Sequence, residues 1–381
     1  MAIHMKPNKL TANIAIFAVL LILLPALTLF LPKKTFSENE NRYLQEFPVP
    51  TLKTIKDKSF MSAFEKFFSD HFVLREQWIQ LKNQMEIATN KKEINGVYLT
   101  EKRLIEHQEL NEDIIQQNTE AINSFAEKYK KPTFLMVVPT AESIYTDQLP
   151  LMAPYFDQKK VIDEIYTTSN KSLTCIDVFT PLLSAKNQYI YYNTDHHWTS
   201  LGAYLGYFAS AKPLGFAHNE IDKFNVEHAS HDFKGTLYSK TLYEKCTPDT
   251  IDLYHLSTGE PQVTVTVQSG QKSSEHQSIF FRNYLDKKDK YNTFLGQNEP
   301  CVSVKTNVNN QKKLLIIKDS YAHSMVQFYM YHYSEITLID LRYVNKLSNY
   351  VSVDDYDQIL FVYNFASINS DTSIGKKLPL F

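Results

Sequence analysis

Phe134-Leu135-Met136-Val137-Val138 is an unbroken apolar run, with no polar residue in alternate positions. A strand with one wet face alternates; a strand without alternation must be covered on both faces, which is the condition inside a parallel sheet flanked by helices. The same texture returns in Leu314-Leu315-Ile316-Ile317, inside a strand expected at 313–318, and further strands are expected at 173–178, 335–339 and 358–363. Between them the period changes from two to 3.6. Ile115, Ile122, Phe125 and Tyr129 form one stripe of a helix over 110–131, which Pro132 ends. Thr199 or Ser200 is placed to cap a second helix running to about Ala211, and a third is expected over 321–333. Strands alternating with helices give an α/β class with a parallel sheet. Residues 215–310 break that rhythm. Short alternating segments there, such as Gln262-Val263-Thr264-Val265-Thr266-Val267, read as a mainly β insertion.

Ahead of this body lies a different kind of segment. Residues 10–31 carry no charge, and about 20 such residues suffice to span a bilayer. Lys6 and Lys9 precede the segment, and Lys33 and Lys34 follow Pro32, so the flanks orient it only weakly. The bulky Leu29-Phe30-Leu31 beyond the small residues Ala26 and Thr28 leaves no good cleavage site, so it reads as an uncleaved signal-anchor. The expected layout is a cytoplasmic tail at 1–9, a transmembrane anchor at 10–31, a linker at 32–54 with Pro48 and Pro50, and a catalytic domain at 55–381. The location that follows is the cell membrane, single-pass, with that domain extracytoplasmic. A single helix is expected over 60–89, with Phe64, Phe67, Phe68, Phe72, Trp78, Leu81 and Met85 near a helical period.

Charge and cysteine usage exclude some classes. The formal net charge is -2, which gives no basic face for nucleic acid. Cys175, Cys246 and Cys301 are far apart and lack metal-type spacing, so neither a disulfide framework nor a zinc site is expected, although one pair could form. No cofactor or metal motif is present. Tyr and Phe number 24 each, enough to pack a core or line a sugar groove; the core is the expected use.

Two segments carry chemistry. Tyr192-Asn193-Thr194-Asp195-His196-His197-Trp198 precedes a helix, and Leu314 to Lys318 leads into Asp319-Ser320-Tyr321. Ligands of open α/β sheets bind outside the carboxyl ends of strands, where Ser320 falls. A serine hydroxyl is a weak nucleophile until a base takes its proton. Asp195-x-His197 supplies an imidazole and a carboxylate that face one side of an extended segment; His196 is the rival base. The Ser320 N–H, at the start of a helix, would stabilise an oxyanion. The plainer reading also stands: Asp319-Ser320 as a helix cap, and the two histidines as satisfied structural groups.

Asn193-Thr194-Asp195-His196-His197-Trp198 resembles the signature of the DHHW family, which is similar to the alginate O-acetyltransferases of the SGNH hydrolase superfamily. Further residues fit that resemblance: Phe36 to Arg42, Asp70-His71-Phe72 with Arg75, Asn95-Gly96-Val97-Tyr98, Asp232 to Leu237, Lys318 to Tyr321, and Asp340-Leu341-Arg342-Tyr343. The resemblance implies an SGNH hydrolase-like sheet in permuted order, with Asp195 and His197 before the nucleophile Ser320. It implies Asn364 as an oxyanion candidate, and His196, Tyr321 and Arg342 as substrate candidates, with Arg342 pairing with Asp340 as the alternative. The implied function is a membrane-anchored O-acetyltransferase of a cell-surface polysaccharide, supplied by a multispanning membrane acyltransferase. The alternatives are a carbohydrate esterase using the same three groups, or a non-catalytic polysaccharide-binding scaffold. A metal phosphoesterase would need further Asp and His motifs at strand ends, which are not seen.

Overall fold

A computed structural model describes residues 9–37, 42–270 and 272–380. The tail expected at 1–9 lies, apart from Lys9, outside the described residues, as do 38–41 of the Phe36-to-Arg42 segment. The chain forms two compact units, Met1–Lys91 and Lys92–Phe381.

In the first unit, helix α1 (Lys9–Phe30) is long and apolar enough to cross a membrane. The helix expected over 60–89 is two helices, α2 (Ser59–Asp70) and α3 (Arg75–Ala88). The break has local causes. Asp70 is buried and accepts the Gln45 N–H at 2.8 Å, and the His71 ring bridges the carbonyls of Phe67 and Lys34. Leu74 then takes a left-handed φ of 57°, which no helix interior tolerates.

The second unit is built on an eight-stranded sheet. Its strands are β1 (Thr133–Val138), β2 (Leu173–Cys175), β5 (Val263–Ser269), β6 (Lys272–His276), β7 (Cys301–Thr306), β8 (Lys313–Lys318), β9 (Glu335–Ile339) and β10 (Gln358–Asn364); β3 (Phe224–Phe233) and β4 (Asp249–Leu256) form a separate antiparallel hairpin. The order across the sheet is β6-β5-β7-β9-β8-β10-β1-β2. The five strands from β9 to β2 are parallel, as the apolar runs require. Every residue of β1 is buried, and Leu314 to Ile317 are fully so. Each such side chain contributes about 1.5–3 kcal/mol. Helix α4 (Glu112–Tyr129) packs its predicted stripe here, with Phe125 edge-on to Phe361. Helix α5 (Gln158–Thr168) and helix α6 (Ser200–Leu214), capped by Thr199, complete the flanking layers. The aromatic residues serve the core: Tyr191, Tyr192, Tyr207, Tyr321, Tyr329, Tyr333 and Tyr363 are all fully buried.

The stretch at 215–310 is mainly β as expected, and its β5, β6 and β7 extend the main sheet antiparallel from β9. One expectation changes. The helix expected over 321–333 is instead a 3₁₀ segment, Ser320–Met325, and one short α-helical turn, Val326–Tyr329. Ser, Tyr, His, Val and Phe are poor helix formers, and here the polar ones bond outward. Gln327 accepts the Tyr254 N–H and donates to Ser200 Oγ.

Candidate active site

The carboxyl ends of β9, β8, β10 and β1 share one edge of the sheet, and Ser320 stands there, two residues past β8. The Asp-His-His-Trp loop reaches it from α6's side. This loop is a turn, not the extended segment expected. Tyr191 pairs with Trp198 across it, and Tyr192 N–H donates to the His197 carbonyl. Asp195 and His197 face each other because Asp195 Oδ1 accepts the His197 N–H at 2.9 Å as well as the ring Nδ1–H at 2.6 Å. His197 Nε2 lies 2.6 Å from Ser320 Oγ. With the ionised Asp195 only accepting, Nδ1 carries the proton and Nε2 is free to take the one on Ser320.

The electrostatics suit a base. Burial would raise the Asp195 carboxyl, but His196 and His197 beside it hold it well below the usual carboxylate range. His197 is pushed down to about 4, first by burial and then by His196. It is therefore neutral near pH 7.

His196 is about one-third exposed, and its Nδ1 lies 3.8 Å from Asp195 Oδ1. Its Nδ1 is 2.6 Å from Thr236 Oγ1, whose hydroxyl donates to Asp195 Oδ2 at 2.9 Å. Thr236 has one hydroxyl proton, so His196 Nδ1–H must be the donor in the first bond. The His196 ring packs 3.9 Å from that of His197.

The remaining candidates are placed as follows. Tyr321 is buried, and its hydroxyl donates to the His196 carbonyl. Asn364 caps the next helix through Oδ1, and its Nδ2 lies 3.2 and 3.4 Å from the Val138 and Pro139 carbonyls. Its amide thus serves β1, not Ser320. Arg342 grips Asp340 with two bonds, 2.9 and 2.6 Å, the pairing alternative. Asp340 also lies 3.3 Å from the fully buried Lys318 Nζ, which contacts His323 Nε2 at 2.7 Å. Asp319 caps the Ser320 turn by accepting the Tyr321 N–H, and its other oxygen accepts the Asn364 N–H and Ser367 Oγ–H. The Ser320 N–H donates to no group among the described residues. Asp195, His196 and His197 bring three ligand-type atoms within 4.8 Å of one another, but a cation there would compete with the Asp195–His197 bond.

Several supporting residues carry no local sequence signal. Asp249, buried at the start of β4, accepts the N–H groups of Asn193 and Thr194, the Thr194 hydroxyl and the Tyr189 hydroxyl, and so fixes the turn before Asp195. The Tyr291 ring stacks on His197 at 3.7 Å and 10°, and its hydroxyl donates to the Ser320 carbonyl at 3.0 Å. Trp198 donates its indole N–H to Tyr321 O and Ser324 Oγ, tying the loop to the Ser320 segment.

Residues 87–339 match the DHHW protein family. The chain belongs to that family. Among solved structures it is similar to a DHHW family protein from Eubacterium siraeum, at 26% identity and a TM-score of 0.61, over 73% of this chain and 96% of that one. It is also similar to Bacillus cereus PatB1, at 18% identity and a TM-score of 0.61, over 73% and 98%. PatB1 with a sulfonyl adduct matches with a TM-score of 0.60. At that identity PatB1 bears on the fold alone, an α/β sheet flanked by helices. No curated protein matches the sequence significantly. The DHHW signature, Asp195 to Trp198, is the loop that meets Ser320 here.

Proposed function

We propose that this chain is a membrane-anchored, extracytoplasmic O-acetyltransferase that acylates hydroxyls of a cell-surface polysaccharide through an acyl-Ser320 intermediate. One observation carries the reading: an unbroken relay from Asp195 to His197 to Ser320, 2.6 Å at each link, with a neutral, buried imidazole between the other two groups. The acetyl group, the polysaccharide and a multispanning membrane donor rest on the resemblance to the alginate O-acetyltransferases. Helix α1, long and apolar enough to span a bilayer, supports a place beside such a donor.

In the first half-reaction Ser320 Oγ gives its proton to His197 Nε2 and bonds to the acyl carbon. The carbonyl π pair moves onto oxygen, toward the uncommitted Ser320 N–H. Collapse expels the donor's leaving group, which takes the proton from His197. In the second half, a sugar hydroxyl gives its proton to His197 and bonds to the acyl carbon, and Ser320 Oγ departs with that proton. Asp195 holds the ring and offsets its charge throughout.

The test uses the purified full chain in detergent with a chromogenic acetyl ester, with and without oligosaccharide acceptors. Acetylated oligosaccharide by mass spectrometry is the expected product. Acetate alone, with every acceptor, assigns an esterase. A Ser320→Ala variant that turns over the ester as fast as the parent removes the nucleophile assignment.

A further inference from the structure

Helix α3 is amphipathic the wrong way round. Leu74 just before it and Trp78, Leu81 and Met85 within it are 57%, 45%, 41% and 60% exposed. At about 100° per residue these four share a stripe roughly 60° wide. The one fully buried side chain of the helix is the polar Asn83. A surface helix of a soluble protein turns its apolar stripe to the core. This one turns it outward.

The same compact unit says what covers it. Helix α1 exposes its own apolar surface along Ile14 to Leu23, as a membrane span does. Thr28, in its last turn, accepts the Val73 N–H on Oγ1 at 3.1 Å and donates to the Leu24 carbonyl at 2.8 Å. Lys33 closes the helix by donating to the Thr28 and Leu31 carbonyls. The residue before Leu74 is therefore bonded to the last turn of the span, where the chain leaves hydrocarbon for headgroups. Trp78 suits that zone: its N–H is already met by the Val73 carbonyl at 3.2 Å, and its half-exposed ring is apolar. Lys82 beside the stripe is 60% exposed and lies 3.8 Å from Glu86, and its long stem lets the ammonium reach outward.

We propose that α3 lies in the headgroup zone of the bilayer at the C-terminal end of the span, with Leu74, Trp78, Leu81 and Met85 set into the acyl chains. The anchor is then two-part: one helix through the membrane and one along it. The in-plane helix restrains the tilt of its unit at the surface, which a lone span does not.

Trp78 and Trp198 are the only tryptophans in the chain, and Trp198 is fully buried. Full-length protein is reconstituted in vesicles of phosphatidylethanolamine and phosphatidylglycerol, with and without brominated acyl chains. Brominated vesicles are expected to lower the Trp78 emission by at least about twofold. Trp78→Phe should abolish the quenched component. The exposed double variant Leu81→Glu/Met85→Glu should lose most of the quenching while keeping its fold. Quenching of Trp78 by aqueous iodide but not by brominated lipid overturns the proposal. So does shielding from both quenchers: if it grows with the protein-to-lipid ratio a second copy covers the face, and if it does not another part of the chain does.

Discussion

Gly235 lies against the carboxylate of Asp195, so closely that a Cβ on Gly235 would sit 2.3 Å from Asp195 Cβ and 2.4 Å from Oδ2. No side chain fits there without moving the carboxylate that orients His197. Gly235→Ala is expected to fold, at a cost of about 1–3 kcal/mol, and to lose about 100-fold in kcat/KM on an acetyl ester. Circular dichroism with ester kinetics checks this. Parent-like kinetics would show that the Asp195 position does not matter.

The His197 value sets a pH profile. On the proposed mechanism ester turnover needs the neutral ring, so the acid limb of kcat/KM should fall near pH 4, not near the ordinary 6.5. His196 is one cause of the depression, so His196→Ala should move that limb upward. Stability follows the same sign. A histidine with a folded value below 6.5 binds fewer protons folded than unfolded, so its contribution is intact above 6.5 and is lost as pH falls toward 4. The depressed Asp195 adds a further loss below its ordinary value of 3.8. Urea titrations between pH 7 and 3 measure both.

Tyr291 separates stacking from hydrogen bonding. Tyr291→Phe keeps the ring on His197 and loses only the bonds to Ser320 O and Ser324 Oγ. Its kcat should stay within about threefold of the parent. Tyr291→Ala removes the wall that fixes the imidazole plane and should cost about 10–100-fold in kcat. Equal losses in the two variants would assign the effect to the hydroxyl.

Under the site, Lys318 is a buried cation facing Asp340. Burial lowers its proton affinity, and Asp340 opposes that. Asp340→Ala leaves Lys318 without a carboxylate partner among the described residues and frees Arg342. The expected loss is about 3–5 kcal/mol in chemical denaturation. Lys318→Met in the same background should recover part of it.

What the sequence made legible was set by local pattern. The apolar runs at Phe134 and Leu314 became central parallel strands, and the Ile115–Phe125 stripe became α4, because period and burial are properties of neighbours in the chain. Asp195, His197 and Ser320 were legible from residue type and strand end, and the structure brings all three within hydrogen-bond reach. What lay hidden depends on partners far along the chain. Asp249 and Tyr291 are ordinary in their own windows; the first bonds a turn 55 residues earlier, and the second stacks on an imidazole 94 residues earlier. Likewise, nothing within 70–75 announces that Asp70 will bond Gln45 and break the helix. The 3₁₀ form after Ser320 goes with the side chains of Tyr321 and Ser324, which bond to the Asp-His-His-Trp loop, and of Gln327, which bonds to the β4 hairpin.

The relay spans 123 residues, from His197 to Ser320. During synthesis the imidazole and its carboxylate are made long before the hydroxyl that they serve. The two ends meet only when β8 slots between β9 and β10, and both of those strands come after the hydroxyl's own. On the proposed mechanism a partly made chain is chemically silent: its histidine has no serine to activate and no cleft edge to act at. Recovery of ester turnover during refolding should report the last long-range closure of the sheet, later than the recovery of helical signal. On the proposed mechanism, the onset of chemistry waits until the sheet is whole.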